Sequence, residues 1–98
     1  FTGSDKGRQT VERIATLLTD IAATEISPAG GGADIAPSVR NGKIASMSLE
    51  VDTSKYFLIH NTPADTVDKI DPVEMSKCAA AVAVMAYVVA DLPQRLGE

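Results

Sequence analysis

The segment that decides the fold is DPVEMSKCAAAVAVMAYVVADLP, residues 71–93. Asp71 is a predicted N-cap, because a short carboxylate at that position accepts hydrogen bonds from the free amides of the first turn. Pro72 suits the first helical position, and Glu74 lies three residues after the cap, as in a capping box. These residues predict a helix that runs to about Asp91 and ends before Pro93.

The predicted helix is apolar on nearly all sides. One face carries Met75, Cys78, Ala79, Val82, Met85, Ala86 and Val89, while Val84 and Val88 lie outside it. Such a pattern is typical of a helix buried on most sides. Its uninterrupted apolar run, residues 78–90, is shorter than the roughly 18 residues of a membrane span, so we expect no membrane partner. We expect part of its natural packing partner to lie outside the chain.

A second, amphipathic helix is predicted upstream, from about Gln9 to Ala23. Its start is open, because Ser4, Asp5 and Thr10 can each act as a cap. Apolar side chains recur on one face at helical spacing. They are Val11, Ile14, Ala15, Leu18, Ile21 and Ala22.

Strand signals are fewer. Residues 44–51 alternate, with Ala45, Met47, Leu49 and Val51 facing one way, as a half-buried strand requires. Short extended pieces are predicted at residues 24–27 and 56–59. Two main helices with one or two strands predict an α/β chain, and we treat residues 1–98 as a single segment.

A glycine-rich turn, residues 28–34, joins the first helix to the rest. Its amides at Gly30–Gly32 could bind an anion, but the run lacks the spacing and lysine of nucleotide-binding loops. The sequence favours a plain turn that lets the backbone pass close to another element. Asp34 can cap a short helix over residues 35–39, and Asn41-Gly42 predicts a turn.

Composition excludes several classes of protein. Nine Lys and Arg against 13 Asp and Glu give a net charge of −4, which excludes a nucleic-acid partner and an electrostatic membrane anchor. The single cysteine, Cys78, excludes an internal disulfide and a multi-cysteine zinc module, and we expect it to be a buried thiol. Because the chain begins at Phe1, we expect it to arise by processing or truncation.

The only histidine lies in the loop YFLIHNTPADTVDKIDP, residues 56–72. A neutral His60 imidazole can bind zinc, and Asp65 and Asp68 are near enough in sequence to orient it. A zinc site needs three or four ligands, and the chain offers no second histidine and no thiolate cluster. Composition alone therefore favours an ordinary surface histidine.

This loop and the helix after it resemble the C-terminal end of co-catalytic zinc exopeptidases, the bacterial aminopeptidases and glutamate-carboxypeptidase-like enzymes of peptidase family M-28. The upstream order also fits, with an amphipathic helix, the turn Gly31-Gly32-Ala33-Asp34, a second turn at residues 42–44 and a strand to Val51. Ile44 stands where the family has proline. The resemblance covers nearly the whole chain and is strongest in its last third.

The resemblance implies a fragment of a three-layer α/β/α fold. It also implies a complete parent that is secreted or periplasmic, acts on a peptide substrate and holds two zinc ions. It also implies a glutamate general base. That base and most metal ligands lie outside these residues, so we expect no catalytic residue, no stable zinc binding and no activity in the chain by itself. Gly31, Gly32 and Asp34 are its substrate-loop candidates.

The histidine loop departs from the family pattern. The usual ligand lies four residues before the aspartate, and counting back from Asp65 reaches Asn61. Either His60, one residue earlier, supplies the nitrogen, with Asp65 as its supporting carboxylate, or the ligand is lost. Two hypotheses follow: the last histidine loop of an exopeptidase, or a non-catalytic module that forms homo-oligomers through its apolar helix.

Overall fold

A computed structural model describes residues 1–97, and within them it contains four α-helices and two 3-10 helices. The α-helices are α1 (Asp5–Ala15), α2 (Ala36–Gly42), α3 (Tyr56–Ile59) and α4 (Pro72–Ala90). The 3-10 helices are Thr16–Ile21 and Val67–Lys69. The chain is therefore a set of helices joined by segments of irregular backbone.

Helix α1 confirms the predicted amphipathic helix, and it begins at the first of the three candidate caps. Its N-cap is Ser4, whose side chain accepts a hydrogen bond from the Gly7 amide at 3.0 Å. After Ala15 the backbone tightens into the 3-10 helix, and it ends at Ala22 in the left-handed conformation (φ 55°). The predicted regular helix to Ala23 is therefore wrong in its last turns, because the backbone there leaves α-helical geometry at Leu18 (φ −104°).

The core lies where α4 packs on α1 and on the 3-10 helix that follows it. Its members are small or aliphatic apart from one aromatic ring at the N-terminus. The buried apolar residues are Phe1, Val11, Ile14, Ala15, Leu18 and Ala81. A core of this size removes little apolar surface from water, so each buried side chain carries a large share of the stability.

Helix α4 begins as predicted. The Asp71 carboxylate accepts hydrogen bonds from the amides of Val73 (2.8 Å) and Glu74 (3.0 Å), and these bonds satisfy two of the free donors of the first turn. The end at Ala90 also agrees with the prediction. The helix is fixed locally, by its own cap and by Pro72 at its start.

The predicted burial of α4 on most sides is wrong for residues 1–97. Ala81 is the buried residue of the helix, whereas Val82 is 54% and Met75 58% exposed. The physical reason is that α1 and its 3-10 extension cover one flank only. By length and composition α4 is also apolar enough to cross a membrane, a test that core helices of soluble proteins pass as well.

The predicted strands do not form within residues 1–97. Residues 44–51 contribute a single antiparallel bridge, in which Thr2 and Ser46 exchange two backbone hydrogen bonds of 2.8 and 2.9 Å. Ser46 is buried, while Leu49 and Val51 are 42% and 54% exposed, so the predicted apolar face is not covered. A strand needs a neighbour to satisfy its backbone, and these residues find none beyond Thr2.

Two further expectations about strands are corrected. Residues 24–27 form no strand, and residues 56–59, predicted as extended, form the short helix α3. The helices are compatible with a piece of an α/β fold, but the three-layer α/β/α arrangement is not confirmed within the described chain.

The glycine turn confirms the predicted close approach. A Cβ on Gly30 would lie 2.9 Å from the Ser46 carbonyl oxygen and 3.0 Å from the Met47 Cα, so a side chain there would collide with backbone. The Phe1 backbone nitrogen donates to the carbonyls of Ser27 (2.9 Å) and Ala29 (2.7 Å) at the start of the turn.

The helix after the turn differs from its prediction. Ile35, and not Asp34, occupies the N-cap of α2, and no side chain caps it. The predicted turn at Asn41-Gly42 is the last turn of this helix, which ends at Lys43 with a positive φ of 49°.

The small core makes the valine at position 11 a sensitive site. Val11 is 1% exposed, so Val11→Ala leaves a cavity and should lower the free energy of unfolding by about 1–2 kcal/mol. Val67→Ala removes the same two methyl groups from a side chain that is 86% exposed, and should change the free energy of unfolding by less than about 0.5 kcal/mol. Urea unfolding followed by helical circular dichroism measures both, and equal shifts would contradict the core assigned to Val11.

Candidate functional site: the histidine loop

The imidazole of His60 is exposed at the end of α3 and is held from one side by an aromatic ring. The His60 amide donates to the Tyr56 carbonyl at 2.9 Å, and its backbone then leaves the helix (φ −50°, ψ 123°). The Tyr56 ring stacks on the imidazole with centroids 4.6 Å apart and planes at 22°. Tyr56 was not singled out from the sequence, although its spacing of four residues from His60 places both on one helix face.

The residue after the histidine makes the sharp bend of the loop. Asn61 has a positive φ of 57°, a conformation that asparagine adopts more readily than most residues. The backbone amide of Asn61 donates to the Asp65 carboxylate at 3.0 Å, and the side-chain nitrogen of Asn61 lies 3.2 Å from Nε2 of His60. The structure therefore brings His60, Asn61 and Asp65 together, and the Asp65 carboxylate accepts its hydrogen bond from the Asn61 backbone.

A second carboxylate is fixed farther along the loop. Asp68 accepts a hydrogen bond from the Thr66 hydroxyl and lies 3.2 Å from the Lys69 ammonium. These two contacts stabilise the charged form and lower the pKa of Asp68. Asp68, predicted to lie within reach of His60, is instead occupied by its own neighbours in the sequence.

The described residues do not fit a metal ion by themselves. Within residues 1–97 no group of three or more histidine, cysteine, aspartate or glutamate side chains is placed to hold one. The loop offers one imidazole, whose Nε2 is already close to the Asn61 amide, and a carboxylate that binds backbone. A stable zinc site needs more ligands than that.

The other predicted residues are not joined to this loop. Across residues 1–97 no hydrogen bond or ion pair links Gly31, Gly32 or Asp34 to His60 or its neighbours. Gly31 has a positive φ of 99°, and a Cβ there would lie 3.4 Å from the Ser46 hydroxyl. A Cβ on Gly32 would meet nothing within 4 Å, so this end of the turn faces open space.

Comparison with known proteins gives one group of relatives. Carboxypeptidase Q of Bos taurus is 43% identical over 96 residues, which are 98% of this chain and 20% of the relative. Carboxypeptidase Q of Mus musculus is 40% identical and that of Homo sapiens 38%, over the same shares of both chains. No family model matches the chain, and no solved structure matches it.

These relatives confirm the resemblance to zinc exopeptidases of family M-28 that the residues indicated. The match runs through nearly the whole chain, from the first helix to α4. The chain spans about one fifth of the length of the curated relatives it matches.

The fixed carboxylate in the histidine loop gives a pH-dependent prediction. Because the pKa of Asp68 is lowered, its charged form stabilises the loop at pH values above the pKa of a free aspartate. This stabilisation is lost as the pH falls through the lowered pKa. Thr66→Val removes the main cause and should raise the pKa of Asp68 toward its ordinary value, as carboxyl-carbon NMR titration would show. Lys69→Gln should raise the pKa of Asp68 by less than Thr66→Val does. A larger rise in Lys69→Gln would contradict the Thr66 hydrogen bond as the main cause.

Proposed function

We propose that this chain, a homologue of part of carboxypeptidase Q in the M-28 zinc exopeptidases, supplies the histidine loop of a peptidase centre. The remaining ligands and the general base come from polypeptide outside the matched segment. The reaction served is removal of a terminal residue from a peptide substrate. The chain by itself binds no zinc stably and does not hydrolyse peptides.

The observation that carries this proposal is the 43% identity over 96 residues, which includes the loop around His60. The geometry supports it in one respect. His60 is exposed and its ring orientation is limited by Tyr56, so the imidazole is accessible to groups from another part of a larger site.

Within the loop we assign the ligand nitrogen to His60. Asparagine is a poor zinc ligand beside imidazole, and Asn61 already serves the loop through its positive φ and its bond to Asp65. Asp65 then acts as a positioning residue that holds the bend after the histidine. No reaction step is assigned to these residues, because they hold no metal by themselves.

We propose that the turn at Gly31, Gly32 and Asp34 contacts the peptide substrate. Gly32 faces open space and Asp34 caps no helix, so both remain available to a peptide substrate. Their role depends on how a larger site brings the turn and the histidine loop together.

A second candidate function is a non-catalytic interaction module. It is favoured by Asn61 at the usual ligand position and by the exposed apolar surface of α4. It predicts that the chain in a complete parent contributes binding surface and no metal ligand.

A chimera tests the two candidates. This chain would replace the matched 96 residues of bovine carboxypeptidase Q, and peptidase activity and bound zinc would be measured. His60→Ala should lower kcat/KM by at least about 100-fold and reduce the zinc content, because it removes a ligand nitrogen.

Asn61→Ala is the control at the neighbouring position and should retain zinc. Its kcat/KM should fall by less than that of His60→Ala, because only the bend of the loop is altered. Unchanged zinc and activity in His60→Ala would refute the ligand assignment. An inactive chimera that gains zinc and activity on Asn61→His would show that position 61 is the ligand position and that this chain has lost it.

A further inference from the structure

We infer that Asn41 is a site of spontaneous covalent modification, at which the side-chain amide is converted to aspartate and isoaspartate at a rate set by the opening of α2. The reacting groups are the Asn41 side chain, the backbone nitrogen of Gly42 and water. This inference goes beyond the proposed function and is independent of it, because the reaction needs neither a metal nor a peptide substrate.

The two reacting residues lie on the surface at the end of α2. Asn41 and Gly42 are the last residues of the helix, and both are exposed. A Cβ added to Gly42 would have one neighbour within 4 Å, the Ile44 Cγ2 at 3.6 Å, so the nearby segments leave room around this residue. Glycine has no side chain of its own to hinder an approach to its nitrogen. The Asn41 side chain can therefore reach the Gly42 nitrogen once the backbone there is released from the helix.

The reaction is an intramolecular substitution followed by hydrolysis. The Gly42 nitrogen gives its proton to hydroxide and attacks Cγ of Asn41, so an N–C bond forms. The bond from Cγ to Nδ2 then breaks, and the leaving nitrogen takes a proton from water and departs as ammonia. Water opens the cyclic succinimide at one of its two carbonyls. Aspartate results when the new N–C bond breaks, and isoaspartate results when the original peptide bond breaks.

The folded form of α2 opposes the attack. In an α-helix the backbone amides point along the axis, whereas the side chains project outward from it. The Gly42 nitrogen is therefore directed away from Cγ of Asn41 while the last turn of α2 is helical. Because ring formation requires the two atoms to meet, the reaction proceeds from the opened helix.

Helix α2 has few interactions that keep it closed. It has seven residues, none of them buried, and no side chain caps its N-terminus. Within residues 1–97 it packs on none of the other helices. Helices this short are marginal without tertiary contacts, and such segments open at a lower free-energy cost than the core. The stability of α2 therefore sets the rate at Asn41.

The other asparagine of the chain provides an internal control. Asn61 is also exposed, but the next residue is Thr62, whose β-branched side chain crowds its backbone. The Thr62 amide also donates to the Ile59 carbonyl at 2.9 Å, so its nitrogen is held in the bend of the histidine loop. We therefore expect modification at Asn41 and not at Asn61.

The product weakens the helix that controls the reaction. The new carboxylate lies at the C-terminus of α2, where the helix dipole is negative and a second negative charge is unfavourable. Isoaspartate also inserts one extra carbon into the backbone, which breaks the helical spacing. The modified chain should therefore keep its core and lose the last turn of α2.

The test is incubation of the 98-residue chain at neutral and at mildly alkaline pH. Peptide mass spectrometry measures the replacement of NH2 by OH at each asparagine, and methylation by an isoaspartate methyltransferase measures isoaspartate. We expect loss of amide at Asn41 that is faster at the higher pH and yields both products, with Asn61 retained. Equal loss at the two asparagines, or aspartate as the sole product, would overturn the inference.

Matched variants test the control by α2. Ser38 is exposed within the helix, and Ser38→Gly should be modified about 5-fold faster than Ser38→Ala, because glycine favours the open helix. Gly42→Ala has room for its methyl group and should suppress both products. Circular dichroism establishes that each variant retains the core. Equal rates in the two Ser38 variants would refute control by α2, and an unchanged rate in Gly42→Ala would refute attack by the Gly42 nitrogen.

Discussion

The contact between α4 and α1 is the interaction on which the rest of the structure depends. Ala81 brings the long helix close to the surface that buries Val11 and Leu18, because its side chain is small enough for close approach. Hydrophobic burial is roughly proportional to the area removed from water, and here that area comes from few side chains. The remaining flank of α4 stays in water, so the same helix supports the core and also leaves apolar side chains such as Val82 uncovered.

A second constraint holds the irregular half of the molecule to this core. Phe1 is buried, its backbone nitrogen donates to two carbonyls of the glycine turn, and Thr2 forms the bridge to Ser46. Gly30 is needed where these segments cross, since any side chain would meet the backbone of Ser46 and Met47. The segment after Ser46 thus starts from a fixed point but continues without a backbone partner.

The histidine loop shows what local sequence can and cannot determine about a site. The grouping of His60, Asn61 and Asp65 follows from their closeness in sequence and could be predicted. The stacking of Tyr56 depends on residues 56–59 being helical, and the expectation of an extended piece concealed it. The relation of this loop to Gly31, Gly32 and Asp34 could not be predicted, because it requires the arrangement of segments far apart in the chain.

The sequence by itself determined α4, with its cap at Asp71 and its end before Pro93, most of the buried face of α1 and the close approach at Gly30. A helix satisfies its own backbone hydrogen bonds, so its signals are local and can be read along the chain. Tertiary structure decided which side of α4 is buried and left residues 44–51 as a single bridge. A strand and a buried helix face are both defined by neighbours, and within residues 1–97 those neighbours cover one flank of α4 and one residue of the predicted strand.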